Sequence, residues 1–277
     1  MKRLVGAAAF VALVAAGCSR TTGSGSEAEA VTDTVAAEAH PEDVAADSVP
    51  AGVSALLASY PDRIKGYSGD SLQMADGSAI LYDDGREKDF ATMLDESDPE
   101  DMFSMVYREQ TPPEYLADAG RSRCEALFKK MYGASAGEVR GHLVDVPWFG
   151  QTVKFTSVNG AADSLRAVAA ELSERPELRK YLKSSGTFYW RAVRGARRLS
   201  AHSYGIAFDI GVEHSDYWLW KNPGAAETDR ISYANRIPHD IVEIFRRHGF
   251  IWGGAWYHYD TMHFEFRPEI LRFAAMQ

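Results

Sequence analysis

Cysteine is nearly absent. The 277 residues hold two, Cys18 and Cys124, so at most one disulfide could form. The apolar run at the amino terminus, Leu4 to Ala16, has 13 residues, short of the roughly 20 that span a bilayer as a helix. Positive charge is scarce too: 30 Lys and Arg against 39 Asp and Glu leave a net charge of -9. Bulk charge therefore does not supply the phosphate-neutralising surface of a general nucleic-acid binder, and no nucleic-acid partner is expected. There is no glycine-rich phosphate loop; Gly253-Gly254, set among tryptophans, reads as a turn. Internal repeats and a regular βαβ alternation are also missing. What remains is ordinary globular composition, 45% hydrophobic and 25% charged, in a length suited to one generous domain or two small ones.

Met1, Lys2 and Arg3 precede the apolar run, the pattern of a secretory signal. The run ends in Ala15-Ala16-Gly17-Cys18, which resembles the lipobox of bacterial lipoproteins, with Ala15 where Leu is usual. The resemblance implies removal of residues 1–17, acylation of Cys18, a lipid anchor into a membrane and location in the cell envelope. Residues 18–50 are mostly Thr, Ser, Gly, Ala, Glu and Asp. Such a segment cannot bury enough surface to offset its ordering entropy, so it is expected to be a disordered tether with an end-to-end distance of about 30 Å. With Cys18 acylated, Cys124 has no partner. Cys124, Leu127, Phe128 and Met131 fall on one helical face, so a buried, inert thiol is expected there.

Large apolar residues return in 51–277, the expected folded domain. Asp76-Gly77 and Asp84-Gly85 are hairpin-type signals, and the acidic stretch Asp95 to Asp101 reads as a solvated linker or loop. Periodicity of 3.6 predicts helices near 121–132, 161–174 and 238–248, the third opened by Pro238 and closed by Gly249. Two segments alternate instead. In one, Ile206, Phe208 and Ile210 oppose Gly205, Ala207 and Asp209, which leaves space beside the Asp209 carboxylate; in the other, Met262, Phe264 and Phe266 oppose His263 and Glu265. Helices mixed with short strands suggest an α+β domain.

The segment Ser200-Ala201-His202-Ser203-Tyr204-Gly205-Ile206-Ala207-Phe208-Asp209, together with Asp260-Thr261-Met262-His263, carries the candidate chemistry. These segments resemble the paired motifs of the zinc D-alanyl-D-alanine carboxypeptidases and L-alanyl-D-glutamate endopeptidases, the VanY-like peptidases that share a fold with the Hedgehog signalling domain. The first motif, Ser-x-His-x-x-Gly-x-Ala-x-Asp, is met at every fixed position. The likeness covers about 184–277; residues 51–183 match no motif. It implies a small antiparallel sheet flanked by helices, one zinc per chain, and a peptidoglycan stem peptide as substrate. It also implies His202, Asp209 and His263 as zinc ligands, Asp260 as general base, and Arg191 as the group that holds the substrate carbonyl or terminal carboxylate. Two imidazoles and a carboxylate suit a catalytic zinc, because they leave net positive charge and an open position for water.

Other residues are assigned by their neighbours. Ser200 has no adjacent base and is expected to support the motif rather than act as a nucleophile. His258 and Trp256 are expected to touch substrate or orient the site. Glu265 shares the face of His263 and rivals Asp260 for the general base, since strand periodicity does not separate them. His40, His142, His214 and His239 read as ordinary polar residues, and His248 as a helix-end cation. Three functions stay open: carboxypeptidase, endopeptidase, and a zinc-stabilised cell-wall-binding lipoprotein without turnover. Asp260 argues against the last, because a pure binding module needs no such carboxylate.

Overall fold

A computed structural model describes residues 49–277. The signal peptide 1–17, Cys18, His40 and all but the end of the 18–50 tether lie outside the described residues. Helix α1 (Ala51–Ser59) leads into an antiparallel sheet of β1 (Ile64–Ser68), β2 (Ser71–Met74) and β3 (Ala79–Leu81), in that order. The expected hairpin at Asp76-Gly77 is there: Gly77 takes φ 81° and the Asp76 carboxylate accepts from the Ser78 amide at 3.0 Å. Asp84-Gly85 lies instead in the loop before α2 (Phe90–Asp95).

The acidic stretch from Asp95 to Asp101 is not a solvated linker. Lys88, with its side chain only 2% exposed, places its ammonium 3.1 Å from Asp84, 3.0 Å from Asp98 and 2.6 Å from Asp101. Asp95 and Glu96 pair with Arg198 and Arg197, about a hundred residues downstream. Asp95, Glu96, Asp98 and Asp101 each have a cation within reach, while Glu100 stays exposed without an ion pair among the described residues; a cation is the condition for a carboxylate cluster to fold inward.

Helix α3 (Glu125–Tyr132) begins four residues later than periodicity suggested, and residues 121–124 are neither helix nor strand. Arg121 reaches Asp118 and Glu227, both at 3.0 Å, and Arg123 reaches Glu265 at 3.0 Å. The pairs to Glu227 and Glu265, which span 106 and 142 residues, outweigh a local helical preference of a few tenths of a kcal/mol per residue. Cys124 is 3% exposed and burial pushes its thiol up to about 11, so it is inert as expected.

Next come α4 (Ala136–Gly141), the hairpin of β4 (Leu143–Trp148) with β5 (Gln151–Thr156), and α5 (Ala161–Ser173). The sheet that carries the motifs follows. It comprises β6 (Ser184–Gly186) and β7 (Ala207–Ile210), then, after α6 (Trp218–Lys221) and α7 (His239–Arg247), β8 (Phe250–Trp252) and β9 (His263–Phe266). Its order is β6-β7-β9-β8, all pairs antiparallel, and α8 (Pro268–Ala274) closes the chain. Antiparallel sheets with helices packed beside them make an α+β architecture.

Alternation sorts the two faces of this sheet. Phe208 of β7 and Phe264 of β9 turn into the core with Phe245 of α7, which stacks on Phe264 at 4.0 Å between ring centroids. Each such ring contributes about 2 kcal/mol on burial, so a one-residue slip of β7 or β9 is strongly disfavoured. With the phenylalanines held inward, Asp209, His263 and Glu265 must face the other side, where a cleft of about 410 Å³ opens.

Candidate metal centre

His202 sits on a short turn, Ala201–Tyr204, that ends at Gly205 with φ 68°. Only glycine fits easily: the left-handed backbone is strained for other residues, and a Cβ there would lie 2.6 Å from Leu143 Cδ2. The turn swings His202 over β7, while the register of β7 with β9 sets Asp209 directly opposite His263. On the other side Asp209 faces Gly186 of β6, which adds no side chain to crowd the carboxylate.

The three side chains converge. Asp209 Oδ2 is 3.2 Å from His202 Nε2, and Asp209 Oδ1 is 2.9 Å from His263 Nδ1. One ligand atom from each residue lies within 4.8 Å of the others, close enough to share an ion. The distal nitrogens are also engaged. His202 Nδ1 donates to the Thr187 carbonyl, and His263 Nε2 donates to Glu265 Oε1 at 3.0 Å. Each bond fixes the tautomer that leaves the inner nitrogen's lone pair free for a cation. The donor set, two imidazoles and one carboxylate on a single point, fits zinc.

The charges fit as well. Burial would raise the Asp209 carboxyl, yet the positive charge and hydrogen bonds of His202 and His263 hold it well below the usual range. Burial would lower His263, but the carboxylates of Asp209 and Glu265 on its two nitrogens push it up to about 10. Without a cation between them, these residues hold a proton where a metal would sit.

Asp260 has the opposite environment. Burial, helped by the charge of Asp209, raises its carboxyl to about 7, and its Oδ1 is buried with no hydrogen-bond partner. Its backbone amide donates to Gly253 O at 2.9 Å, and a Cβ on Gly253 would come 2.7 Å from the Asp260 carbonyl, so this turn needs glycine to close. Glu265 shares a face with His263, as periodicity required, but it is engaged on every side. Against the effect of burial, Arg123 at 3.0 Å, His263 and Arg267 at 3.4 Å hold it down at about 2. Its position beyond His263 Nε2 points it away from the inner nitrogens.

The remaining predicted residues are placed as follows. Ser200, Trp256, His258 and Arg191 all line the cleft with His202, Asp209 and His263. Trp256 donates through Nε1 to the Ala119 carbonyl at 2.8 Å, with its ring centroid 5.6 Å from that of His263. His258 is fully buried at its side chain: Nδ1 meets Asp118 Oδ2 at 2.5 Å and Nε2 meets the Glu227 carbonyl at 2.8 Å, so it braces the wall. Arg191 is exposed at the rim and makes no ion pair among the described residues. The other histidines are ordinary: His239 lies 3.7 Å from Glu243 on the surface, His214 packs its ring on Tyr181, and His248 meets Glu171 at 2.9 Å.

Sequence reasoning missed Thr187, Asp118, Arg121, Arg123, Arg198 and Arg267. No motif marks them: Thr187 lies 15 residues from His202, Arg123 142 from Glu265, and Asp118 and Arg121 140 and 137 from His258, while Arg267 sits two residues from Glu265 and Arg198 bonds Asp95 rather than a site residue. The one usable signal was Glu265 itself, because a carboxylate buried in a strand needs cations from elsewhere.

Residues 194–266 match the model of a family described as D-alanyl-D-alanine carboxypeptidase. The match supports the peptidase family that the motifs resemble, over a narrower span than 184–277; it takes in His202, Asp209, Asp260 and His263, and begins after Arg191. No curated protein and no solved structure gives a significant match to this chain.

Proposed function

We propose that the chain is a zinc-dependent peptidase of the cell envelope that hydrolyses peptidoglycan stem peptides, with D-alanyl-D-alanine carboxypeptidase action as its main activity. The observation that carries this is the convergence of His202, Asp209 and His263 beside a buried carboxyl raised to about 7, Asp260, in a cleft within the family-matched segment. A Hedgehog-type arrangement of the four-stranded sheet goes with this assignment.

Zinc bound by the three ligands supplies Lewis acidity toward a peptide carbonyl and a water molecule. Everything else falls to the chain. Asp260 takes a proton at its unpartnered Oδ1 and returns it to the leaving amine, a task suited to a carboxyl whose affinity for protons lies near neutrality. Glu265 is the positioning residue for His263, since its lone pairs are engaged and its charge is fixed by two arginines. Arg191 on the rim offers a permanently charged fork to a terminal carboxylate. Trp256 and the braced His258 shape the wall, and Ser200 lines the cleft next to His202. Acylation of Cys18 would tether this domain to the membrane.

Digestion of purified stem peptides by the zinc-loaded protein, followed by mass spectrometry, tests the assignment. Loss of a single terminal alanine is expected. Cleavage between L-alanine and D-glutamate would move the activity to the endopeptidase class, and binding without cleavage would leave a cell-wall-binding lipoprotein. Replacement of Cys18 by Ser should release the protein from membranes.

A further inference from the structure

The cleft is basic in an acidic protein. Arg121, Arg123, Arg191, Arg194 and Arg198 line it, against the carboxylates of Asp209, Asp260 and Glu265, while the whole chain carries -9. Two of these arginines are buried and only partly used. The Arg123 side chain is 8% exposed and bonds through Nη1 alone, to Glu265 at 3.0 Å and to the Gly120 carbonyl at 3.4 Å. The Arg198 side chain is 9% exposed and bonds through Nη1 alone, to Asp95. In both, Nε is buried without a hydrogen-bond partner, and Nη2 has none among the described residues.

Nε and Nη2 together form the side edge of a guanidinium, the pair of parallel donors that matches the two oxygens of a carboxylate. Leaving charged donors unsatisfied in a buried position is costly, and it is doubly so here because the two side chains repel. Burial and the charges of Arg267 and Arg198 hold Arg123 below its ordinary value, despite Glu265. Asp95 and Glu265 are each committed on the opposite side. An anion from outside would relieve both costs.

We propose that Arg123 and Arg198 form a carboxylate-binding subsite in this cleft, separate from Arg191, that selects peptides carrying a second carboxylate in addition to the one at the cleaved end. The proposal rests on the peptidase assignment for its substrate but not for its anion. A planar dianionic peptide is favoured over a phosphate because two flat donor edges are offered and no lysine lines the cleft.

The test uses zinc-loaded full-length protein and peptides ending in D-alanyl-D-alanine, with Glu or Gln at each of the three positions before the cleaved bond. At one position at least, Glu should raise kcat/KM over Gln by about 10-fold or more, the value of one charge-assisted pair. Arg198→Gln should erase that preference while leaving cleavage of the Gln peptides within about twofold. Cleavage of all peptides at equal rates by the unaltered protein would overturn the proposal and leave the peptidase assignment standing. If none is cleaved, the peptidase assignment fails and calorimetry decides the subsite. Tighter binding of a Glu peptide than its Gln partner, lost in Arg198→Gln, supports it, and equal binding overturns it. Arg198→Lys, which keeps the charge but not the fork, should restore less than half of the preference; full restoration would reduce the subsite to a diffuse positive field.

Discussion

Among the described residues, the clusters at His202–Asp209–His263 and around Lys88 both bring acidic ligand-type side chains within reach of a cation, and they are built oppositely. At His202, Asp209 and His263 one carboxylate is shared by two imidazoles, whose outer nitrogens are locked by Thr187 and Glu265. At Asp84, Asp98 and Asp101 three carboxylates close on the ammonium of Lys88. The second cluster already contains its cation, covalently attached, and so is a structural brace. The first has its lone pairs aimed at a common point with only a proton to hold them there. Acidic residues in proximity do not make a metal site; donors oriented from behind, with no internal cation, do.

The strongest way to break this contrast is Asp209→Ala. Zinc content should fall from about one per chain to near zero by elemental analysis, and peptidase activity by about 1,000-fold or more, the worth of several kcal/mol of charge stabilisation. Retained zinc would mean that the ion sits elsewhere. Asp260→Asn should keep zinc and fold yet lose roughly 100-fold in rate. Its pH profile sharpens the point. A base must be unprotonated to work, so with the carboxyl raised by burial the unaltered protein should gain rate as pH rises and then level off, the zinc charge moving that limb to lower pH. The Asn variant should lack that limb, and a flat profile in the unaltered protein would count against Asp260 as the base.

At the other cluster, Lys88→Met leaves buried carboxylates without their cation. It should cost about 3 kcal/mol of stability, read from the denaturant midpoint, while zinc stoichiometry stays unchanged; a loss of zinc would erase the distinction drawn above. Glu265→Gln keeps the shape behind His263 but removes the charge, and zinc affinity should weaken by about 10-fold to 100-fold in competition with a chelator. The smallest effect is on pH. His263, held at about 10 by its carboxylates, is protonated at neutrality in the metal-free chain, and zinc needs the neutral ring. Binding must therefore release a proton, and affinity should fall about tenfold for each unit that pH is lowered from 8 towards 7. An affinity independent of pH there would place the proton elsewhere.

Much of the site was legible in the sequence, and for local reasons. The spacing of His202, Gly205 and Asp209 encodes a turn that needs a left-handed residue followed by a strand, and the alternation around Asp209 and His263 tells which face each side chain takes. The long amphipathic helices were legible too, with α5 and α7 ending within a residue or so of expectation. Two readings failed together. The first turn expected of α3 is irregular chain, and the acidic stretch expected to be solvated is a packed brace around Lys88. Both errors have one cause: Arg121 pairs with Glu227 106 residues away, Arg123 with Glu265 142 away and Asp95 with Arg198 103 away, so no window of neighbouring residues contains these partners.

The sequence by itself determined which face Asp209 and His263 take, because strand alternation acts over a few residues and leaves few alternatives; the ligand set is what the resemblance to the peptidase motifs implies. The tertiary structure alone decided which of two carboxylates is free to exchange a proton. Strand periodicity does not separate Asp260 from Glu265, and only the resemblance to the family motif favours Asp260. Arg123 arrives from 142 residues away to join the neighbouring Arg267 in fixing Glu265 as an anion behind His263, while Asp260 is buried near Asp209 with one oxygen unpaired. Electrostatic environment acts through space, and only folding brings those charges into range.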